Sequence, residues 1–283
     1  MNLDNKISLS CRIPMVLRAR GFRLYLSDGK RLVDLWLNGG AAVLGHTTPN
    51  LLREIKNTAS RGLYAPYPHF TEGRFLKALA KLLPEYSFRI YAAPPMEILQ
   101  KISHRDTENT KDTEDIERKK ETINVNFWRP FINSENPFYI ENSQSLFIPV
   151  LPGIQTWRDG LPLGLCIVAA KSEEQLSQLP PSDALSPILL AAAARSIHDI
   201  IAAPQRAKPN LPRVKKVLQN SRWQKQGIYL TLKNKVTAEE WEELFRKFLE
   251  AGFLLPPTQA HPIILPGEMS DGEEAKLSAV LSI

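Results

Sequence analysis

The sequence predicts a soluble α/β protein, because segments with helical periodicity alternate with short apolar segments typical of buried strands. Residues 71–83 place apolar side chains three and four positions apart, whereas residues 164–170 form a continuous apolar run. Hydrophobic residues make up 43% and charged residues 23% of the 283-residue chain. This composition is typical of a globular protein with a buried core, and it excludes a fully disordered chain.

Turn and capping residues set the bounds of the predicted elements. Gly29 lies in a hairpin turn where a positive φ is expected, and Thr237 with Glu240 forms a capping box at the start of a helix. Pro49 leads into the first helix, with Asn50 as its N-cap. The predicted strands cover residues 22–26, 31–37, 88–92, 125–128, 137–140, 145–150, 164–170, 227–232, 253–255 and 263–265. The predicted helices cover residues 51–61, 71–83, 186–203, 214–220, 237–251 and 272–281.

Several classes of protein are disfavoured by simple counts. Cys11 and Cys166 are the only cysteines, and the five histidines lack metal-ligand spacing, so neither a disulfide framework nor a metal site is expected. The most apolar stretch, 188–203, contains charged residues, and the start of the chain lacks the pattern of a signal peptide. The net charge of +6 comes from basic residues scattered among acidic ones, which argues against nucleic-acid binding. We therefore expect a cytoplasmic protein without a membrane or nucleic-acid partner.

Colinear blocks of sequence carry a resemblance to a known family. GFRLYLSDGKRLVDL at 21–35 is similar to the opening hairpin of the class III pyridoxal-phosphate (PLP)-dependent aminotransferases, which include glutamate-1-semialdehyde aminomutase. GGAAVLGHTTP at 39–49 resembles the family's glycine-rich stretch ending in LGH. The resemblance continues through 67–72 and Pro84. It resumes in the second half of the chain at residues 160–164, 182–193, 249–257 and 269–274, so that the blocks cover about two-thirds of the chain.

This resemblance implies a reduced PLP-transferase type I-like fold. A shrunken large-domain sheet would be joined by an α+β small domain made from the N- and C-terminal segments. Residues 1–84 would form an N-terminal segment that belongs to the small domain and the dimer surface. Residues 85–204 would be the large-domain remnant with a charged linker at 101–123, and residues 205–283 the C-terminal small domain. The family is usually dimeric, so a homodimer or a heterodimer with an aminotransferase homologue is expected.

The residues that carry the family's chemistry are not retained. When GLPLG at 160–164 is aligned without gaps, Gln155 stands at the position of the lysine that binds PLP, and an amide cannot form an imine. The phosphate-binding motif is expected after strand 88–92, where Pro94 and Pro95 remove backbone N–H donors. Glu97 and Ser182 remain as vestigial cofactor-binding candidates. The segment that carries the aspartate partner of the pyridine nitrogen is absent, and Gln155 can also be interpreted as an ordinary loop residue.

Three functions follow from this pattern. The first is an aminotransferase-like protein that has lost PLP chemistry and has a structural, regulatory or dimerisation role, with no cofactor expected. The second is an active PLP-dependent aminotransferase or aminomutase with a displaced lysine. The lysines nearest to Gln155 are Lys171 and Lys120, and neither has the sequence context of the family's lysine. The third is a protein that binds a small amino acid or keto acid in the vacated pocket through Gln155 and Ser182.

Overall fold

The chain divides into two compact units, each built from separate stretches of sequence. The computed structural model describes residues 9–96, 98, 126–140, 146–151, 156–158, 161–163 and 165–282. Unit 1 comprises residues 1–52, 130–139 and 200–283, and unit 2 comprises residues 53–129 and 140–199. Residues from both ends of the chain therefore lie together in unit 1. Within the described ranges, no helix has the length and apolar character needed to cross a membrane.

Groups of strands and groups of helices follow one another along the described residues. The strands are β1 (Val16–Arg20), β2 (Arg23–Leu26), β3 (Arg31–Asp34), β4 (Ser87–Tyr91), β5 (Asn126–Trp128), β6 (Phe147–Pro149), β7 (Thr156–Arg158), β8 (Leu161–Leu163), β9 (Cys166–Ala170), β10 (Trp223–Gln226), β11 (Tyr229–Leu232), β12 (Phe253–Leu254) and β13 (Ile263–Ile264). The helices are α1 (Pro49–Ala59), α2 (Phe70–Leu82), α3 (Glu173–Ser177), α4 (Pro187–Ile201), α5 (Pro212–Leu218), α6 (Ala238–Glu250) and α7 (Asp271–Leu281).

The first sheet of unit 1 joins the N-terminal hairpin to a C-terminal strand. Its order is β1-β2-β3-β12, with β12 parallel to β3. The hairpin between β2 and β3 turns at Gly29, whose φ is 82° as the sequence predicts. Arg23 of β2 donates hydrogen bonds of 2.9 and 2.7 Å from Nε and Nη2 to the two carboxylate oxygens of Glu273 on α7. These bonds from Arg23 lower the pKa of Glu273 to about 2, so the carboxylate stays charged.

The second sheet of unit 1, β10-β11-β13, contacts a segment from the middle of the chain. Gly227 lies in the turn between β10 and β11 with a φ of 57°, and a Cβ placed there would lie 1.9 Å from the carbonyl oxygen of Phe131. The backbone N–H of Ile228 donates to that oxygen, and the Tyr229 hydroxyl donates to the Pro130 carbonyl oxygen at 2.7 Å. Only glycine permits this close approach of the two backbones.

Unit 2 contains a four-stranded sheet of order β4-β9-β6-β5. The central strand β9 is buried along its whole length, which agrees with the continuous apolar run that predicted it. Burial raises the pKa of the Cys166 thiol in β9 to about 12, so this cysteine is a core residue and not a nucleophile. A hydrophobic cluster around it includes Tyr91, Ile98, Leu146, Ile148, Val168, Ala170, Leu176 and Leu179.

Several predicted boundaries are confirmed and others are wrong. The capping box of Thr237 and Glu240 begins α6 as expected. Asn50 is not an N-cap, because Pro49 already occupies the first helical position of α1. The predicted return strand 31–37 ends at Asp34, whose carboxylate accepts hydrogen bonds from the turn that follows. Residues 137–140 are not a strand, because the N–H of Phe131 donates to the Pro137 carbonyl oxygen and closes a loop there.

We predict that Gly227→Ala lowers the free energy of unfolding by at least about 3 kcal/mol, because the added methyl group cannot fit against the Phe131 carbonyl. Gly29→Ala is the matched control. Gly29 also has a positive φ, but a Cβ placed there would meet no atom within 4 Å. This substitution should cost only about 1 kcal/mol of backbone strain. Urea denaturation followed by circular dichroism measures both values, and equal losses would contradict the steric explanation.

Candidate functional site

The loop that follows β4 is the position at which the sequence resemblance places a phosphate-binding motif. It reads Ala92-Ala93-Pro94-Pro95-Met96, and the N–H of Ile98 then donates to the Pro95 carbonyl oxygen at 2.9 Å. Pro94 is buried, whereas Ala92 and Ala93 are exposed. A phosphoryl group is normally held by several backbone N–H groups at the start of a helix, and proline has none to offer.

The residues at 180–183 run beside β4 and use the polar groups on its free edge. The N–H of Asp183 donates to the Ile90 carbonyl oxygen at 2.9 Å, and the N–H of Ile90 donates to Ser182 Oγ at 3.1 Å. The N–H of Ala92 donates to the Asp183 carboxylate at 2.8 Å. The Tyr91 hydroxyl donates to the Pro180 carbonyl oxygen at 2.8 Å. This edge strand is thereby covered, which prevents pairing with another chain at this edge.

These contacts do not fit a bound phosphate ester. Pro94 and Pro95 carry no N–H, and the N–H of Ala92 is already bonded to the carboxylate of Asp183. That carboxylate also places a negative charge next to the loop, where it would repel a phosphate dianion. The described residues of this loop therefore offer few of the backbone N–H groups that commonly hold a phosphate.

The sequence-predicted site residues are only partly described. Gln155 and Glu97 lie outside the described residues. Ser182 lies at the edge of β4 with its Oγ accepting the Ile90 N–H. Lys171, the nearest lysine downstream of Gln155, lies just after β9 and contacts Glu85 through its Nζ at 2.8 Å. The hydrogen bond to Glu85 raises the pKa of Lys171, which favours the charged ammonium over the neutral amine that attacks carbonyl groups.

A buried polar cluster in unit 1 surrounds Asp34, whose side chain is at the end of β3. Asp34 is only 2% exposed. Its Oδ1 accepts the N–H groups of Trp36 and Leu37 at 2.9 and 2.8 Å, and its Oδ2 lies 2.9 Å from Nε2 of His46. The N–H of His46 donates in turn to the Gly21 carbonyl oxygen at 2.8 Å. The carboxylate thus connects the strand end to the two loops that follow it.

The backbone after Asp34 is held in an unfavourable conformation. Leu37 and Asn38 have φ values of 48° and 50°, and Gly39 and Gly40 follow with 69° and 110°. A non-glycine residue in the left-handed region costs about 1–2 kcal/mol, so this turn needs compensating contacts. The hydrogen bonds to Asp34 and the complete burial of Leu37 supply them.

The Asp34–His46 pair orients an imidazole, but its surroundings are those of a structural contact. Among the described residues, no serine, threonine or cysteine side chain hydrogen-bonds to His46, so the pair lacks the nucleophile of a catalytic triad.

Arg206 is another buried polar residue of unit 1, and it donates to the carbonyl oxygens of Val43 and Leu265. Burial lowers the pKa of Arg206 to about 10. The described part of the chain also contains no group of His, Cys, Asp and Glu arranged to hold a metal ion.

Solved aminotransferases share this fold. The chain superimposes on Plasmodium falciparum ornithine delta-aminotransferase with a TM-score of 0.63 and 10% identity, covering 95% of this chain and 92% of that one. It matches a transaminase with PLP bound with a TM-score of 0.66 and 11% identity, covering 96% and 90%. An omega-transaminase from Sphaerobacter thermophilus gives a TM-score of 0.65 at 12% identity, covering 95% and 90%. The chain thus has the PLP-transferase fold of these aminotransferases, as the sequence resemblance predicted.

Sequence comparison finds proteins that are similar to most or to part of this chain. A protein of uncharacterised function from Treponema pallidum (strain Nichols) is 26% identical over 301 residues, with 90% of each chain covered. One from Borreliella burgdorferi is 42% identical over 73 residues, which is 26% of this chain and 27% of that one. Glutamate-1-semialdehyde 2,1-aminomutase from Sorangium cellulosum is 33% identical over 69 residues, which is 24% of this chain and 16% of the enzyme. No family model matches the chain.

Two carboxylates at these positions were not identified from the sequence. Asp34 stands within the hairpin block that carries the family resemblance, but its contact with His46 joins residues on different loops. Asp183 follows Ser182 directly, and only the hydrogen bond to Ala92 reveals its place beside the loop after β4. A pattern based on residue type alone cannot find such contacts, because they depend on tertiary structure.

We predict that Asp34→Ala lowers the free energy of unfolding by about 3 kcal/mol, because it leaves the N–H groups of Trp36 and Leu37 without their acceptor in the strained turn. Asp28→Ala is the matched control in the same hairpin. The Asp28 carboxylate accepts the Lys30 N–H at an exposed turn, so its loss should cost less than about 1 kcal/mol. Urea denaturation measures both, and a loss at Asp34 no larger than at Asp28 would contradict the assigned role.

Proposed function

We propose that this protein is a non-catalytic member of the aminotransferase fold, which binds no PLP and acts through association of two copies of the chain. The observation that carries the proposal is the loop after β4. Its prolines and the Asp183 carboxylate replace the N–H donors that would hold a phosphate. The sequence adds Gln155 at the expected lysine position. The changed loop and the glutamine at residue 155 are independent of each other, because one concerns the phosphate group of PLP and the other the imine to lysine.

The environment of Lys171 also supports this proposal over an active enzyme with a displaced lysine. A lysine that forms an imine needs a lowered pKa, which burial or a nearby cation provides. Lys171 instead pairs with Glu85 and has a raised pKa. Its ammonium also lies 5.7 Å from the ring of Tyr86, a contact that favours the charged form. The alternative of a small-molecule site through Ser182 gains less support, since Ser182 Oγ is already engaged by the Ile90 N–H.

We expect neither the wild-type protein nor Gln155→Lys to form a saturable PLP adduct, because a lysine alone does not restore the phosphate donors. Visible absorption after addition of PLP, followed by borohydride reduction and mass mapping of modified lysines, measures this. Gln155→Met is the matched control, since it reports the background labelling of surface lysines. A stoichiometric adduct at residue 155 of Gln155→Lys would contradict the argument from the loop. A stoichiometric adduct at one lysine of the wild type would favour the displaced-lysine enzyme.

Unit 2 exposes an apolar face, which we propose as the contact surface for a second copy of the chain. Tyr64, Tyr67 and Phe70 are 67%, 65% and 56% exposed, and all three lie within one seven-residue stretch of the sequence. Beside Tyr64 is an open groove of about 370 Å³, lined by Ile55, Tyr64, Ser186, Ile188, Leu189 and Ala192. Clustered exposed aromatic side chains are typical of protein interfaces. A two-fold dimer uses the same patch twice, and the family resemblance implies dimers, so we assign this face to self-association.

We predict a dimer of the wild-type protein at micromolar concentration and a dissociation constant raised at least about tenfold in Leu189→Asp, because a carboxylate would be buried in the groove. Met96→Ser is the control, since Met96 is an exposed apolar residue of the same unit that lies outside the groove. Sedimentation velocity over a concentration series measures both. A monomeric wild type, an unchanged Leu189→Asp, or a complex formed only with an aminotransferase homologue would contradict homodimerisation.

A further inference from the structure

Unit 1 contains a cavity that is separate from the loop after β4 and from the Asp34 cluster. Its volume is about 330 Å³, and its lining includes Lys208, Asn210, Lys215 and Lys225. Residues 208–218 form one wall through the end of the connecting segment and α5, while Lys225 approaches from β10. A cavity of this size is within the range that holds small metabolites.

The cavity lining contains three lysines, all of them exposed residues. No ion pair among the described residues involves the side-chain ammonium group of Lys208, Lys215 or Lys225. By contrast, the ammonium groups of Lys171 and Lys247 lie 2.8 Å from the carboxylates of Glu85 and Glu243, respectively. Like charges that share one cavity repel one another, and a bound anion removes that repulsion.

Lys225 is an exposed residue, so its side chain is only partly removed from solvent. Its pKa is lowered first by this partial burial and then by the positive charge of Lys215. Both causes disfavour the ammonium form, and no carboxylate in the described part of the chain offsets them. An anion in the cavity would have the opposite effect, because it stabilises the charged form of Lys225.

The cavity floor is apolar. Leu211, Val214 and Leu265 are all buried residues of the lining, and Leu218 completes it from α5. The amide of Asn210 adds a neutral group that can donate or accept hydrogen bonds. Small-molecule sites typically combine an apolar floor with a few polar groups, and here the polar groups are on exposed residues at the rim.

We propose that this cavity binds a small polyanion that carries phosphate or carboxylate groups, held by Lys208, Lys215 and Lys225. Three exposed ammonium groups suit a ligand with more than one anionic group, since each lysine is a point charge with three donors. This proposal does not depend on the loss of PLP chemistry or on dimer formation, because none of the residues involved belongs to unit 2.

Isothermal titration calorimetry of the full chain with inorganic pyrophosphate and, separately, with citrate tests the proposal. Titrations at about 0.15 M ionic strength screen diffuse attraction between distant charges. We expect saturable binding of at least one probe, and the tighter one identifies phosphate or carboxylate as the preferred group. Lys215→Gln and Lys225→Gln should each weaken that binding about tenfold, because each removes a charged hydrogen-bond donor.

Lys216→Gln is the matched control, because Lys216 is exposed, lies next to Lys215 on α5 and does not line the cavity. It should change the affinity less than about twofold. Nitrogen NMR of the lysine side chains gives an independent measure, since the pKa of Lys225 should rise when the probe binds. Absence of saturable binding up to about 10 mM, an equal effect of Lys216→Gln, or an unchanged Lys225 pKa would overturn the proposal.

Discussion

Backbone hydrogen bonds between β3 and the C-terminal strands hold unit 1 together. The N–H groups of Val33 and Leu35 donate to the carbonyl oxygens of Gly252 and Leu254, both at 2.9 Å, and the N–H of Ile264 donates to the Leu35 carbonyl oxygen at 2.7 Å. Asp34 lies between Val33 and Leu35, and its carboxylate accepts hydrogen bonds from the turn that follows. The polar cluster around Asp34 therefore depends on a sheet that neither end of the chain can complete alone. The contact between Arg23 on β2 and Glu273 on α7 is a second link between the N-terminal and C-terminal segments of unit 1.

The sheet of unit 2 has an edge strand, β4, that is covered by a neighbouring segment. A four-stranded sheet has two edges, and an exposed edge strand can pair with other chains. The residues at 180–183 cover the edge at β4 and use its N–H and carbonyl groups. One of these contacts, from Ala92 to Asp183, lies at the loop where the sequence resemblance places the phosphate-binding motif. The segment that covers this edge thus also contacts the loop where the motif is expected.

The sequence predicted local features well where a residue's chemistry acts on its immediate neighbours. The capping box at Thr237 and the hairpin turn at Gly29 need only residues a few positions apart, and both are confirmed. The strand β10 was missed because Trp223–Gln226 is largely polar and exposed, so its pairing with β11 decides its conformation. The close approach of Gly227 to Phe131 and the contact of Asp34 with His46 depend on tertiary structure. No periodicity encodes such contacts, although the family resemblance did predict the fold that contains them.

The interleaving of chain segments in unit 1 also has a consequence for synthesis on the ribosome. Val33 pairs with Phe253, which is made 253 − 33 = 220 residues later. At about 5–20 residues per second, the hairpin waits roughly 10–40 s for the strand that completes its sheet. During that interval β3 presents an unsatisfied edge, while the residues of unit 2 are already available to fold. The nascent hairpin is therefore the part of this protein that we expect to need a chaperone most.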